Sequence, residues 1–574
     1  MFRPFLVSAL ALLPLVAHAQ TRVSIPRIQG MTDVSPFASQ IVQTTGVVSG
    51  VFPGLNGFYI QDPQGDGDTR TSDGIFIYVS PRSRAAQVAV KPGERVEITG
   101  EVEEFGGQTQ IGRLTELQIQ AENVPLVPTT MTLPLDPQAR EAFEGMLVRI
   151  PGPLTVTNTR ELQRFGTLAL SSGGRLFVPG NVPLDQRPKS DDAPARTLLL
   201  DDGQSARRPT PMPFLDANGT RRAGDTVADL TGVLSFSFEQ YRLEPTVAPV
   251  FQATNPRPLN PPRVGPDGVL RIGGANLHNY WTTFKTDAHP DARGATGPTS
   301  FARQTAKIVA QLRGMDADAV GLMELENNGD TAVDDLVERL NAAYGRAEYR
   351  KVALPATGIG PDVIRVGLIY KPARLVPVGA SQSATDGIFD RRPLAQTFRD
   401  ARTGGVLTLM VNHWKSKGSP PETGDVDTGE GAWNGKRTAQ ARAALAFVKQ
   451  LQTSSGSPNV LLLGDLNAYV EEAPLRALRE GGLKHLNLRL PPQERYSFGY
   501  DGRFGSLDHA LATPELDAQV TGFAEWHINA DEPYFFAPEI AETHADASPF
   551  RASDHDPFLV GVSLKGAPGA APSR

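Results

Sequence analysis

The sequence predicts a multidomain protein in which an all-β region precedes an α/β domain, and three observations support this. The chain has 574 residues, enough for about three or four domains of ordinary size. Two proline-rich stretches, residues 124–137 and 244–266, divide it, because proline disfavours the interiors of strands and helices. Strand-like runs dominate before the second stretch and alternate with helical runs after it.

The overall composition is that of a globular protein. Hydrophobic residues make up 40% of the chain and charged residues 21%, which excludes a mostly disordered protein. Cysteine is absent, which excludes disulfides and thiolate chemistry. The formal net charge is −7, so the chain lacks the basic excess that is typical of nucleic-acid-binding proteins.

The first 19 residues predict a secretory signal peptide. A positive charge at Arg3 precedes the apolar residues 5–16, and small residues end the segment at Ala17 and Ala19. The segment is short for a membrane span and is interrupted by Pro14, which favours cleavage over an uncleaved anchor. We therefore expect a protein that leaves the cytoplasm, for the medium or the periplasm, and has no membrane anchor.

Two β domains are predicted before the second proline-rich stretch. Residues 20–123 contain five short runs of alternating apolar and polar residues between turns, which indicates a small closed barrel of the OB type. Residues 138–245 repeat this pattern more loosely and predict a second β domain, followed by a proline-rich linker at 246–265. One turn of the first domain fits either a Ca²⁺ loop or an ordinary solvated hairpin, through Asp62, Asp66, Asp68 and Asp73.

Residues 266–565 predict the α/β domain, and residues 566–574 predict a disordered tail. Apolar strand-like runs at 270–275 and 460–463 alternate with helical patterns such as 299–313 and 436–452. The predicted strands end in polar residues: Asn276, Glu324, His413, Asp465 and Asn467. Ligand sites of α/β folds lie at strand ends, where a buried polar side chain is otherwise unfavourable.

Two further groups in this domain carry acids beside histidines, SLDH at residues 506–509 and SDHD at residues 553–556. Oxygen ligands from acids and amides suit Mg²⁺, Mn²⁺ or Ca²⁺ better than structural zinc. Histidines beside carboxylates suit proton transfer and the stabilisation of charge on phosphate. Because a P-loop, a Gly-x-Ser-x-Gly motif and a cysteine nucleophile are all missing, the sequence predicts metal-assisted attack of water on a phosphoester.

In this order the motifs resemble those of the endonuclease/exonuclease/phosphatase superfamily, the DNase I-like proteins. The resemblance covers roughly residues 265–565 and implies a four-layer α/β sandwich. NHWKSKG, WNGKR and the preceding GFYIQDPQGDGD are similar to secreted bacterial extracellular nucleases that carry an N-terminal OB-like domain. The implied cofactor is Mg²⁺ or Mn²⁺, with Ca²⁺ as an alternative.

The resemblance also implies a role for each motif residue. Glu324 would be the main metal ligand, helped by Asn276 and Asp554. Asp465 would position or deprotonate the attacking water, and Asn467 would hold a phosphate oxygen.

Two histidines complete the implied catalytic set. His555, oriented by Asp508, and His413 would stabilise charge on the phosphate or protonate the leaving oxygen. One departure concerns the partner of His413. DNase I-like members place a Tyr-x-Glu before the strand that here reads 364–370, and its Glu partners the first histidine. This chain has Asp362 and Val363 there, which leaves the partner of His413 open.

The predicted function is that of a secreted, metal-dependent endonuclease that hydrolyses extracellular DNA, and RNA as a further substrate. Position alone predicts that Asn434, Arg437 and Lys415 contact substrate phosphates. A phospholipid phosphodiesterase or a phosphomonoesterase could use the same scaffold. A matrix-binding protein with an inactive nuclease-like domain is a further alternative, against which the complete residue set argues. Other histidines of the domain are predicted to be structural or surface residues: His278, His289, His485, His509, His527 and His544.

Overall fold

A computed structural model describes residues 21–187, 190–540 and 546–566. The predicted signal peptide, His544 and the predicted tail after Gly566 lie outside these ranges. The described residues form two compact units that are interleaved along the chain. Unit 1 falls within Met1–Pro151, Leu198–Ala206 and Asp229–Pro249, and unit 2 within Gly152–Thr197, Arg207–Ala228 and Val250–Arg574.

Unit 1 contains a closed all-β sheet. Its strands lie in the order Thr21–Arg22, Ile41–Phe52, Gly57–Gln61, Gly74–Tyr78, Gln108–Ala121 and Arg95–Phe105. The sheet closes because Ile41–Phe52 also pairs with Arg95–Phe105. Alternate side chains fill the interior, among them Ile60, Ile75 and Ile98. An all-β N-terminal region is therefore present, while its OB type stays a prediction at this point.

Residues 138–245, which the sequence predicts as a second β domain, contribute strands to both units. Unit 1 holds Leu147–Ile150, Leu230–Ser237 and Gln240–Pro245. Of these, Leu230–Ser237 lies in the middle and pairs antiparallel with the other two. Unit 2 holds Leu154–Asn158, Leu168–Ser172 and Thr226–Val227. The predicted boundaries of this domain thus do not coincide with the division into units.

Unit 2 is built on two six-stranded sheets, whose strands are numbered here along the chain. They are β1 (Leu270–Tyr280), β2 (Ala319–Glu326), β3 (Arg350–Lys351), β4 (Ile364–Tyr370), β5 (Leu375–Ser383), β6 (Leu394–Asp400), β7 (Val406–His413), β8 (Val460–Asp465), β9 (Lys484–His485), β10 (Asp508–Ala512), β11 (Val520–Glu525) and β12 (Phe558–Val562). The orders are β3-β4-β2-β1-β12-β11 and β5-β6-β7-β8-β10-β9. Each sheet has one parallel pair, β1–β2 and β7–β8, at its centre.

The two sheets pack face to face, and helices cover their outer faces. Ile272 and Met323 of the first sheet meet Leu409 and Leu463 of the second in one buried cluster. Helices α1 (Pro298–Met315) and α2 (Thr331–Tyr344) pack on the first sheet, and α3 (Asn434–Ser455) and α4 (Ala473–Glu480) on the second. This is the four-layer α/β sandwich that the resemblance implies. None of the described helices is long and apolar enough to cross a membrane.

Segments that precede the sandwich in sequence are packed into unit 2. Leu176–Phe177 pairs with Arg503–Gly505, which in turn pairs with Phe498–Tyr500 in a small sheet. The predicted linker 246–265 is also bound, because Trp526 Nε1 donates to the carbonyl of Pro258 at 2.9 Å. The sandwich therefore includes contacts from residues well before its first strand.

Candidate active site

Polar residues from the central parallel strands of both sheets meet at one place. The Nδ2 of Asn276, in β1, donates to Glu324 Oε1 in β2 at 3.1 Å and to Asp465 Oδ2 in β8 at 3.2 Å. His413 ends β7, and its Nε2 lies 3.6 Å from Asp465 Oδ2. Strand ends that are separated by up to 189 residues in the sequence thus lie together in the structure.

Glu324 is turned out of its strand by the backbone. The pairing of β2 shifts register between Leu322 and Leu325, and Glu324 has a φ of +63°, which is uncommon for a residue other than glycine. Its Oε2 accepts the backbone amide of Asn279 at 2.9 Å, and Asn279 itself has a φ of +59°. Local distortion of β1 and β2 therefore points this carboxylate into the site.

The donor set fits a divalent cation. Ligand atoms of Glu324, His413 and Asp465 all lie within 4.8 Å of one another. Two carboxylates this close repel each other unless a positive charge lies between them, and carboxylate oxygens are preferred by Mg²⁺ and Ca²⁺. Asn276 faces them with its amide nitrogen, so ligation through its oxygen requires the opposite amide orientation. Asp554, the third predicted ligand, lies beside His278 instead, with 3.9 Å between Oδ1 and Nδ1.

Asp465 and Asn467 form a tight turn after β8. Asp465 Oδ1 accepts the amide of Asn467 at 2.8 Å, and Asn467 has a φ of +49°. The Asn467 side chain donates to the carbonyl of Trp414 at 3.2 Å. Burial raises the pKa of Asp465 to about 7, although the positive charge of His555 opposes this. A carboxyl group with a pKa near neutrality is suited to accept a proton from water.

His555 is held by Asp508. Its Nδ1 lies 2.6 Å from Asp508 Oδ2, and Ser497 Oγ donates to the same oxygen at 2.6 Å. The Phe498 ring packs on the imidazole with 4.7 Å between ring centroids. Burial disfavours the charged imidazole, but the carboxylates of Asp508 and Asp554 outweigh it and hold the pKa of His555 well above its usual range. The ring is therefore positively charged at neutral pH and suited to stabilise negative charge on a phosphate.

His413 has a different environment. Burial lowers its pKa well below the usual range, and the nearby Arg391 adds to this, so the imidazole is neutral. Its Nδ1 has no hydrogen-bond partner among the described residues. Asp362, at the position of the expected partner, pairs with Arg391 at 2.9 Å, and Arg391 Nε donates to the main-chain oxygen of His413 at 3.1 Å. Asp362 therefore supports the backbone of His413 and not its ring.

Residues 279–555 match the family described as Endonuclease/Exonuclease/phosphatase family. Residues 279–555 therefore form a domain of this superfamily. Such a domain is a hydrolase of the metal-dependent phosphoesterase type. The match begins three residues after Asn276 and includes the other predicted site residues. Residues 120–255 match a domain of unknown function, DUF8508, and no curated protein matches the chain.

The solved structures to which the chain is similar include proteins with different names. They are the human Nocturnin catalytic domain with bound sulfate anion, D. rerio TDP2 complexed with single strand DNA product, and a mannosyl-6-phosphatase of Bacteroides thetaiotaomicron. Their sequence identities to this chain are 14%, 18% and 13%, in that order. The matches cover 53%, 52% and 51% of this chain, and 97%, 100% and 100% of the other chains. The TM-scores are 0.34, 0.35 and 0.34, so the family assignment rests on the match over residues 279–555.

The side chain of Arg437 points into the protein interior. The sequence predicts instead that it contacts substrate phosphates. Its side chain is fully buried. Its guanidinium donates to the carbonyl of Ala432 at 2.7 Å and to the carbonyl of Lys415 at 3.3 Å. Two more carbonyls, of Glu430 and Gly431, accept from the same group. The predicted substrate contact is thus wrong in this structure, because the guanidinium is used to hold the loop that precedes α3.

Lys415 and Asn434, the other two predicted substrate contacts, lie at the surface of the same region. Lys415 is partly exposed, and its Nζ lies 5.0 Å from the ring centroid of Trp433. Asn434 is the first residue of α3, and its Nδ2 donates to Glu430 Oε2 at 2.9 Å. The ammonium group of Lys415 contacts the Trp433 ring but pairs with no carboxylate within 4 Å among the described residues, whereas the amide of Asn434 is partly engaged by the protein.

Several residues of the site have no functional role predicted from the sequence, among them His278, which is predicted to be a structural or surface residue. His278 lies beside Asp554, Ser497 binds Asp508, and Arg391 joins Asp362 to the main chain of His413. His278 stands two residues after Asn276, on the same strand end, and that spacing was the available signal. Ser497 and Arg391 lie in segments without a recognisable motif.

Proposed function

We propose that this protein is exported and hydrolyses nucleic acid, as an endonuclease on extracellular DNA that also accepts RNA. The observation that carries the proposal is a set of unpaired cations around the site. Lys415, Arg293, Arg551 and Arg160 have no carboxylate within 4 Å among the described residues. Arg293 acts electrostatically on His413, and Arg551 on Asp554. Local positive charge of this kind favours a polyanionic substrate although the chain as a whole is acidic.

The site residues divide the reaction among them. Glu324 would hold a divalent cation, helped by Asn276 once its amide oxygen is turned toward Glu324, and by Asp554 if it moves away from His278. The cation supplies Lewis-acid polarisation of the phosphate when it is bound. Asp465 would orient the attacking water and accept its proton, because burial has raised its pKa to about 7. His555, charged and fixed by Asp508, would bind a phosphate oxygen whose negative charge increases in the transition state. Asn467 and the neutral His413 would complete the polar surface around that phosphate.

The rest of the chain supports two parts of the proposal, the export of the protein and the binding of nucleic acid. The predicted signal peptide supports export. The unit 1 barrel has five long strands, counted here along the chain from Ile41–Phe52 and without Thr21–Arg22. They lie in the order first, second, third, fifth, fourth, and the first also pairs with the fourth. The third and fifth pair in parallel, through Phe76 and Gln110. This connection pattern supports assigning the barrel to the OB type, a fold that binds oligonucleotides in many proteins.

Incubation with supercoiled plasmid tests the function. The purified chain is assayed with Mg²⁺, Mn²⁺ or Ca²⁺ and with a chelator. Metal-dependent conversion to nicked and then linear DNA is expected, with loss in Glu324→Gln and His555→Ala. Glu338→Gln and His289→Ala change exposed residues of the same unit and should leave cleavage intact. An intact plasmid under every metal, together with intact single-stranded DNA and RNA, would overturn the proposal. The mass of the exported chain, expected to begin at Gln20, tests the localisation.

A further inference from the structure

A loop of unit 2 displays the aromatic ring of Tyr534 at the surface, where the charge of Asp554 acts on it electrostatically. The loop includes Asp531 and Glu532, whose side chains are completely buried. Arg175 pairs with Asp531 at 2.7 Å, Arg257 pairs with Glu532 at 2.7 Å, and Arg222 binds both carboxylates. Buried carboxylates are tolerated only when they are paired in this way, so the loop has a fixed position.

The aromatic residues that follow these carboxylates differ in their exposure to solvent. Phe535 and Phe536 are buried, and the guanidinium of Arg257 lies 4.9 Å from the ring centroid of Phe536. Tyr534, directly before them, keeps 38% of its surface exposed. The residues before and after Tyr534 are therefore fixed in the protein, and its aromatic side chain is exposed to solvent between them.

Two arginines lie near this ring. Arg551 is placed with its Cζ 5.8 Å from the ring centroid of Tyr534, three residues before Asp554. One of its nitrogens donates to the carbonyl of Asn529 at 2.8 Å, which fixes the side chain without neutralising it. Arg160 is exposed. Burial and Glu539 raise the pKa of the Tyr534 hydroxyl, while the positive charges of Arg551 and Arg160 lower it.

We propose that Tyr534, Arg551 and Arg160 form a subsite for a nucleotide next to the scissile phosphate. A base stacks on the Tyr534 ring, and the adjoining phosphate binds the two guanidinium groups. Aromatic stacking accepts any base, and arginine binds phosphate through paired N–H donors, so the subsite favours a polynucleotide over a small phosphoester without reading its sequence. This inference rests on the proposed function.

Part of this subsite comes from outside the residues that match the superfamily. Arg160 precedes the matched range 279–555, and so do the arginines that anchor the loop, Arg175, Arg222 and Arg257. Segments before the sandwich thus supply one phosphate contact and fix the position of the stacking ring. Substrate preference would then be set by residues that the superfamily motifs do not include.

Binding of a fluorescently labelled 12-nucleotide single strand, followed by anisotropy in EDTA, tests the subsite without turnover. Tyr534→Ala should weaken binding about tenfold, within the roughly 5- to 150-fold range expected for one stacked base. Tyr534→Phe keeps the ring and should bind like the wild type. Arg160→Ala should weaken binding and reduce its salt dependence, because one phosphate contact is lost. Arg442→Ala removes an exposed arginine of α3 as the matched control and should change neither.

The outcomes separate the subsite from the function on which it rests. If the wild-type chain binds and cleaves nucleic acid while Tyr534→Ala binds equally well, the subsite is wrong and the function stands. If Tyr534→Phe is as weak as Tyr534→Ala, stacking is not the interaction. If the wild-type chain neither binds nor cleaves any nucleic acid, the proposed function fails and the subsite fails with it. Thermal unfolding of each variant shows whether the loop remains folded.

Discussion

Asp508 holds His555 through a single oxygen atom, Oδ2, which lies 2.6 Å from the imidazole Nδ1. The same oxygen accepts the hydroxyl of Ser497 at 2.6 Å, while Oδ1 has no hydrogen-bond partner among the described residues. The carboxylate is thus fixed from one side and directs its charge at the imidazole. This arrangement sets both the orientation and the protonation of the ring that we propose binds a phosphate oxygen.

Replacing Asp508 with Asn should lower kcat by about 100-fold or more, because the amide removes the charge that keeps His555 protonated. Ser497→Ala should cause a smaller loss, since the carboxylate keeps its charge. Plasmid cleavage under saturating metal measures both. Asp517→Asn alters a more exposed pair with Arg489 and is the control. A kcat for Asp508→Asn close to that of the control would contradict the role of Asp508.

Asp362→Asn should reduce activity far less than Asp508→Asn. Asp362 reaches His413 only through Arg391, whose remaining bonds to the carbonyls of His413 and Trp414 are kept in the variant. We expect less than about a tenfold loss of kcat and little change in the pH profile. A loss as large as that of Asp508→Asn, with a shifted pH profile, would mean that Asp362 contacts the His413 ring during the reaction.

Arg437→Met and Lys415→Ala should differ in what they change. The methionine leaves the carbonyls of Ala432, Gly431 and Lys415 without their Arg437 donor, while the Glu430 carbonyl keeps the ammonium group of Lys417. The free energy of unfolding should therefore fall by about 2–4 kcal/mol. Lys415→Ala should raise KM for DNA and leave the unfolding free energy nearly unchanged, because its ammonium group is partly exposed. Denaturant unfolding and steady-state kinetics separate the two. An Arg437→Met protein of normal stability with a raised KM would restore the substrate contact predicted from sequence.

Asp73→Asn should stabilise unit 1 at neutral pH and have little effect at pH 4. Burial and the nearby Asp66 and Asp62 raise the pKa of Asp73 to about 6. Between its ordinary value near 4 and about 6, the folded state keeps a proton that the unfolded state releases, so stability falls as pH rises through this window. The difference in melting temperature between variant and wild type should therefore increase from pH 4 to pH 6.5 and then level off. A constant difference across this range would disprove the coupling.

The catalytic strand ends were accessible to prediction because their signal is local. An apolar run that stops at Asn276, or at Asp465 in VLLLGD, is visible in the sequence, and parallel neighbours bring such ends together. The α/β class of the domain follows from the alternation of strands and helices, whereas its four-layer arrangement is implied only by the family resemblance. The bulge that turns Glu324 toward the site was not predictable, since a φ of +63° leaves no mark in residue type.

The environment of a charged side chain was much harder to predict. Arg437 and Lys415 look equivalent in the sequence, yet one is buried among carbonyls and the other is partly exposed. That difference depends on how residues 416–434 fold back over α3, which no local pattern specifies. Arg175 and its partner Asp531 are separated by 356 residues, so no local pattern indicates that they form a pair.

The long separation of these ion pairs has a consequence for biosynthesis. Arg175, Arg222 and Arg257 leave the ribosome well before their carboxylate partners, which follow 356, 310 and 275 residues later. Domains that are continuous in sequence can fold during translation, but these early arginines have no counter-charge until synthesis is nearly complete. A gene fragment that starts at residue 266 creates the opposite defect, because it encodes Asp531 and Glu532 without any of the three arginines. We therefore expect that residues 266–565, expressed alone, do not form a stable domain.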